Sequence, residues 1–172
     1  MGIDPGTNFM GYAIIKVFGK NQKPELVVSG IVDMIKITDP YIKLQRIFSR
    51  TLQVIDSYQP DELAIEAQFY GKNVQSMLKL GRAQGVAIAA ALQRDIPIFE
   101  YAPKKIKMSI TGTGEASKEQ IALLLGKFMT IPTTISTLDE TDAIAIAYCH
   151  HLRNAGRNRC YCYRLLSLSA KL

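Results

Sequence analysis

A chain of 172 residues is long enough for one domain with a sizeable core and too short for two lobes of ordinary size. No apolar run could span a bilayer, and the N-terminus lacks the basic region and apolar stretch of a secretory signal, so the reading is a cytoplasmic protein with no membrane partner. The formal net charge of +6 points to an acidic partner, but Arg153, Arg157, Arg159, Arg164 and Lys171 supply five of those charges, leaving +1 for the rest.

The first stretch, Gly2-Ile3-Asp4-Pro5-Gly6-Thr7, puts a carboxylate at the end of an apolar strand and then turns the chain. Pro5 presets φ for the turn and Gly6 accepts angles that other residues resist. The run Tyr12-Ala13-Ile14-Ile15-Lys16-Val17 completes a β-hairpin. Asp4 either caps its own turn or faces a cation, because an unpaired buried charge costs several kcal/mol. A third strand is expected over 26–32, after a turn from Gly19 to Pro24.

Asp39-Pro40 announces a helix, with Asp as N-cap and Pro in the first turn. Tyr41, Leu44, Ile47, Phe48, Ile55 and Tyr58 recur at helical spacing and are expected to pack on the sheet, and Gln59-Pro60 ends the helix. Leu63-Ala64-Ile65-Glu66 is a short strand that again ends in a carboxylate. A right-handed crossover would make it parallel to an earlier strand and bring Asp4 and Glu66 to one sheet edge.

Residues 67–73 form a loop, followed by a long helix over 74–94 kept slim by Gly81, Gly85 and several alanines. A fifth strand is expected over 97–101. Pro103 then starts a short basic helix with Lys104, Lys105 and Lys107, and a loop over 111–116 follows. Ser117 with Gln120, and Thr137 with Glu140, match capping boxes for helices over 118–128 and 138–153. Asp139 and Asp142 share a face at the start of the last helix. Acids in a first turn suit the helix dipole. Beyond Asp142, however, nearly every residue is Ala or Ile, so this acid faces protein or a metal.

Four carboxylates, Asp4, Glu66, Asp139 and Asp142, offer the hard oxygen donors that suit Mg²⁺ or Mn²⁺. Two ions a few ångströms apart can activate a water and steady the leaving oxygen of a phosphodiester. Cys149, Cys160 and Cys162 have neither Cys-x-x-Cys spacing nor a disulfide framework and read as reduced thiols. Adjacent His150 and His151 do not share a helix face, which argues against zinc.

The segments Gly-Ile-Asp-Pro-Gly-Thr at 2–7, Ala-Ile-Glu at 64–66, Phe-Tyr-Gly-Lys-Asn at 69–73, Leu-Lys-Leu-Gly-Arg-Ala-Gln-Gly at 78–85, Phe-Glu-Tyr-Ala-Pro at 99–103 and Asp-Glu-Thr-Asp-Ala at 139–143 closely resemble the RuvC family of Holliday junction resolvases. The resemblance runs in order from about residue 2 to 152. It implies an α/β, RNase H-like fold with a five-stranded mixed sheet flanked by helices. It also implies a homodimer that binds a four-way DNA junction and nicks two strands of like polarity in recombination and repair, with RuvA and RuvB as partners. Asp4, Glu66, Asp139 and Asp142 match the family's catalytic, metal-binding acids, with two Mg²⁺ per site that Mn²⁺ can replace. Lys107 and Lys118 match basic residues near the scissile phosphate. Phe69 matches an aromatic residue that stacks on bases at the crossover, worth about 1–3 kcal/mol per base.

Lys72, Lys79, Arg82, Lys104 and Lys105 are candidate DNA contacts, since charge on the nucleic-acid backbone supplies most of the affinity. The slim helix is the natural dimer seam. The nuclease domain is expected over 1–153, with 154–172 a basic, disordered tail. Family members carry more apolar residues before the first motif, so a first strand missing about half its usual length and a loosely held Asp4 are expected here. The rival readings are an actin- or Hsp70-like ATPase, which shares the opening Gly-Ile-Asp-x-Gly-Thr but needs two lobes, another RNase H-like nuclease, and a non-catalytic junction-binding protein.

Overall fold

The computed structural model describes residues 1–18, 22–68, 73–131 and 137–154. In chain order these form β1 (Gly2–Asp4), β2 (Phe9–Lys16), β3 (Glu25–Asp33), α1 (Pro40–Tyr58), β4 (Leu63–Glu66), α2 (Val74–Leu92), β5 (Ile98–Tyr101), α3 (Pro103–Thr111), α4 (Lys118–Phe128) and α5 (Leu138–Asn154). The five strands make one sheet in the order β3-β2-β1-β4-β5. β2 runs antiparallel to β1 and β3, whereas β4 is parallel to both β1 and β5. This is the expected mixed sheet, with the crossover through α1 placing β4 beside β1.

Side-chain alternation sorts the sheet into two unlike faces. Ile3, Leu63 and Ile65 point to a core shared with Ile47, Val54 and Ile55 of α1 and Ala83, Ala87 and Ala91 of α2. A fully buried Ile of this kind contributes about 1.5–3 kcal/mol. Ala13 and Ala64 join the opposite core with α3, α4 and α5. Small residues there let α5 settle almost onto the strands. A Cβ built on Gly2 would stand 2.3 Å from the Ala143 carbonyl oxygen, closer than any side chain could tolerate. Asp4 and Glu66 share strand parity with Gly2 and Ala64, and so belong to the α5 side.

The helix boundaries follow their caps. Asp39 accepts from the backbone N–H groups of Tyr41 and Ile42, with Pro40 in the first turn. Ser117 and Gln120 form both halves of a capping box. Thr137 Oγ1 accepts from the Glu140 N–H at 3.3 Å. The buried Glu140 carboxylate accepts from the hydroxyls of Thr137 and Ser29, which docks the first turn of α5 onto β3.

Two expectations need correction. Tyr41 and Tyr58 do not pack on the sheet: they are 72% and 44% exposed. Tyr41 lies well round the helix from Ile47, and both tyrosines sit in end turns. The buried stripe is Ile47, Thr51, Val54 and Ile55. In α2 the alanines do the close packing, whereas Gly81 and Gly85 face open space.

β1 is three residues long. Asp4 is nonetheless held in the ladder opposite Gly11 of β2. The backbone carbonyl of Met1 accepts from the Ala64 N–H at 2.8 Å, which carries the β1–β4 contact to the other end of the strand.

Candidate active site

Parallel pairing puts the C-terminal ends of β1 and β4 side by side, with Gly2 opposite Ala64 and Ile3 opposite Ile65. Asp4 and Glu66 therefore emerge at one sheet edge, where α5 begins. One carboxylate oxygen from each of Asp4, Asp139 and Asp142 lies within 4.8 Å of the others. Glu66 stands outside that tight trio but is close enough for its charge to act on Asp4.

The acids perturb one another as a partly buried cluster should. Burial, then the charges of Glu66, Asp142 and Asp139, push the Asp4 carboxyl up from 3.8 to about 7 against the opposing pull of Lys118. Glu66 is raised by burial and then by Asp142, and Asp142 is raised by burial in spite of its bond to Lys118. A bound cation would relieve this repulsion and favour the ionised acids. All the donors are hard carboxylate oxygens, the chemistry of a Mg²⁺ or Mn²⁺ site, so the residues fit a divalent ion.

Two lysines come from the helices beside α5. The Lys118 ammonium, at the start of α4, bonds Asp142 and lies 3.9 Å from Asp139. Burial opposes its charge, but the bond to Asp142 and the neighbouring acids outweigh that and raise its pKa. Lys107, on α3, donates to the Ala116 carbonyl at 3.0 Å, and its charge acts on both Glu66 and Asp142.

Of the residues singled out from the sequence, the fold gathers Asp4, Glu66, Asp139, Asp142, Lys107 and Lys118 into this one region. Lys79 and Arg82 are exposed on α2, and Lys104 and Lys105 on α3. Lys104 pairs loosely with Glu115 at 3.7 Å. Phe69, Lys72, Cys160 and Cys162 lie outside the described residues. Cys149 is buried. His150 sits in the core between Tyr101 and Glu62, at 2.7 Å from each.

Sequence reasoning missed Gly11 and Gln84. Gly11 lies opposite Asp4 in β2, where α5 crosses the strand. A glycine inside an apolar strand is a signal of close backbone approach and could have marked it. Gln84, polar on a buried helix face, bonds the backbone of Glu66.

Residues 1–150 match the family model described as "Crossover junction endodeoxyribonuclease RuvC". The chain is 57% identical over 155 residues to the protein of that name from Bacteroides fragilis, covering 89% of this chain and 81% of that one. Against the namesake from Thermotoga petrophila it is 37% identical over 157 residues, covering 91% and 94%. Among solved structures, Thermus thermophilus RuvC in complex with a Holliday junction substrate superposes with a TM-score of 0.82 at 28% identity, covering 90% of this chain and 93% of that one.

Proposed function

Because the chain belongs to the RuvC family of crossover junction endodeoxyribonucleases, whose RNase H-like α/β fold it shares, we propose that it resolves Holliday junctions in DNA recombination and repair. Asp4, Glu66, Asp139 and Asp142 are its catalytic acids. The observation that carries this reading is the convergence of Asp4, Asp139 and Asp142, from the first strand and the last helix, within 4.8 Å.

The acids hold divalent cations, two Mg²⁺ per site with Mn²⁺ as a substitute. Bound there, the ions supply Lewis acidity toward a phosphodiester and an activated water. The protein's own part is positional. Asp4 and Glu66 are fixed by the β1–β4 ladder, and Asp139 and Asp142 by the docking of α5 on Gly2 and Gly11. Lys118 exchanges its carboxylate partners for the negative charge that develops on phosphate, and Lys107 adds a second positive charge on the same side.

The protein works as a homodimer on a four-way junction, since paired nicks at a two-fold substrate need two sites in fixed relation. Val74, Leu78, Gly81, Gly85 and Leu92 form an exposed apolar and small-residue stripe on α2 that supports this helix as the seam. Lys79, Arg82, Lys104 and Lys105 are exposed and within reach of phosphates, and Phe69 and Lys72 contact DNA near the crossover. RuvA and RuvB are its partners in branch migration, and it acts in the cytoplasm. No helix among the described residues is long and apolar enough to cross a membrane. Residues 1–153 make up the nuclease domain and 154–172 a basic tail.

The test is incubation with a synthetic four-way junction and a matched duplex, in Mg²⁺ or in chelator. Paired, metal-dependent nicks on the junction alone are expected, with Asp4→Asn binding the junction but not cutting it. Cleavage by Asp4→Asn at the native rate would remove Asp4 from the site. Preference for an RNA·DNA hybrid would assign a different nuclease substrate.

A further inference from the structure

Gln84 is one of few buried polar side chains among the described residues. It lies on the inner face of α2 with Ala87 and Ala91, where an apolar residue would avoid the penalty of desolvating an amide. Its Nε2 donates to the backbone carbonyl of Glu66 at 3.0 Å and to Oε2 of Glu100 at 3.0 Å. Both partners are pure acceptors, so the amide must present its nitrogen, and its two hydrogens match the two bonds.

The location matters more than the bonds themselves. Glu66 is the last residue of β4, and Ile65 is the last β4 position that β1 pairs with. Beyond it, the Ala67 N–H bonds only toward β5, at Tyr101. The Glu66 carbonyl lies past the last β1–β4 pair and has no β1 residue opposite it, and a twist there would swing the Glu66 carboxylate. Gln84 ties that end to α2 and, through Glu100, to β5.

We propose that Gln84 is a positioning residue for the Glu66 carboxylate, holding the backbone of that residue so that its side chain stays turned toward Asp4 and Asp142. The proposal rests on Glu66 being one of the metal-binding acids. α2 also carries the exposed Lys79 and Arg82, so the bond joins the helix that bears these two cations to the acid site.

Gln84→Met keeps the length and apolar packing of the side chain while removing both donors. Gln84→Arg keeps donors that suit a carbonyl and a carboxylate together. Mn²⁺ binding without DNA is read from the free-ion electron paramagnetic resonance signal, alongside junction affinity in chelator, melting temperature and single-turnover cleavage against Mg²⁺ concentration. In Gln84→Met, Mn²⁺ binding should weaken and cleavage slow by about 10–100-fold. Junction affinity should stay within about twofold, and Gln84→Arg should recover most of both losses.

Native Mn²⁺ binding and cleavage in Gln84→Met would overturn the proposal. So would equal losses in the Met and Arg variants together with a lowered melting temperature, which is what a merely structural residue gives. Glu66→Gln is measured in parallel. If it cleaves normally, the reading of Glu66 fails, and the proposal with it. If it is inactive while Gln84→Met is native, only the role of Gln84 falls.

Discussion

Gly11 lies directly beneath Asp139: a Cβ built on the glycine would stand 2.3 Å from the Asp139 carbonyl oxygen. Gly11→Ala therefore forces the start of α5 off the sheet. Overpacking of this kind costs about 1–3 kcal/mol. A shift near 1 Å in Asp139 and Asp142 should slow cleavage on the order of 100-fold. Single-turnover assays and thermal melts check both effects. Gly126→Ala, whose Cβ meets nothing within 4 Å in α4, should instead stabilise by about 0.5–1 kcal/mol and leave cleavage unchanged.

Without divalent ions the acid cluster makes stability fall as pH rises. Asp4 titrates near 3.8 in the unfolded chain and near 7 when folded, so the folded state holds the proton more tightly. That stabilisation is complete below about pH 4 and is lost as pH rises through about 7. The penalty at pH 8 is on the order of 4 kcal/mol at most. In chelator the melting temperature should drop from pH 5 to pH 8. Asp4→Asn should flatten that drop while abolishing cleavage, and Mg²⁺ should raise the melting temperature more at pH 8 than at pH 5. Melts across pH with and without Mg²⁺ decide it; an equal Mg²⁺ effect at both values would count against the cluster as the ion's site.

Lys118 is the cation that the acids keep when no metal is bound, reaching Asp142 and Asp139 together. Lys118→Met should slow cleavage by about 100-fold, the scale of losing one stabilising contact to transition-state charge. In chelator at pH 8 it should also lower the melting temperature, because the acids then repel one another without relief. Cleavage rates and melts on one preparation check both.

His150 supplies a contrast. Burial holds its imidazole below the usual histidine range. Its Nε2 lies 2.7 Å from Glu62 Oε2 and its Nδ1 2.7 Å from the Tyr101 hydroxyl. His150→Leu should destabilise by about 1–3 kcal/mol through the disrupted buried network. Cleavage per folded molecule should be unchanged, because eleven residues of helix, at about 1.5 Å each, separate it from Asp139. Denaturant melts with activity scaled to folded fraction test this.

Local chemistry was the legible part. Asp39-Pro40 and the Ser117–Gln120 box marked helix starts, and the paired strand ends at Asp4 and Glu66 predicted a shared edge that parallel pairing bears out. Spacing also put Asp139 and Asp142 on one face. The contacts that join distant segments were not legible: Gly11 under Asp139, Lys118 against Asp142, Gln84 on the Glu66 carbonyl. A periodic pattern says which face of an element is buried, but not which element lies over it. Tyr41 and Tyr58 show the same limit, since an apolar residue in an end turn can sit beyond anything it might pack against.

Asp4 sits in β1 and Asp139 and Asp142 in α5, so the proposed acid site closes only after the chain through the start of α5 has been made. A nascent or interrupted polypeptide can bring Asp4 and Glu66 together at most, and α5 must be laid across Gly2 and Gly11 before the other acids arrive. The four acids are thus together only in a chain that extends into α5.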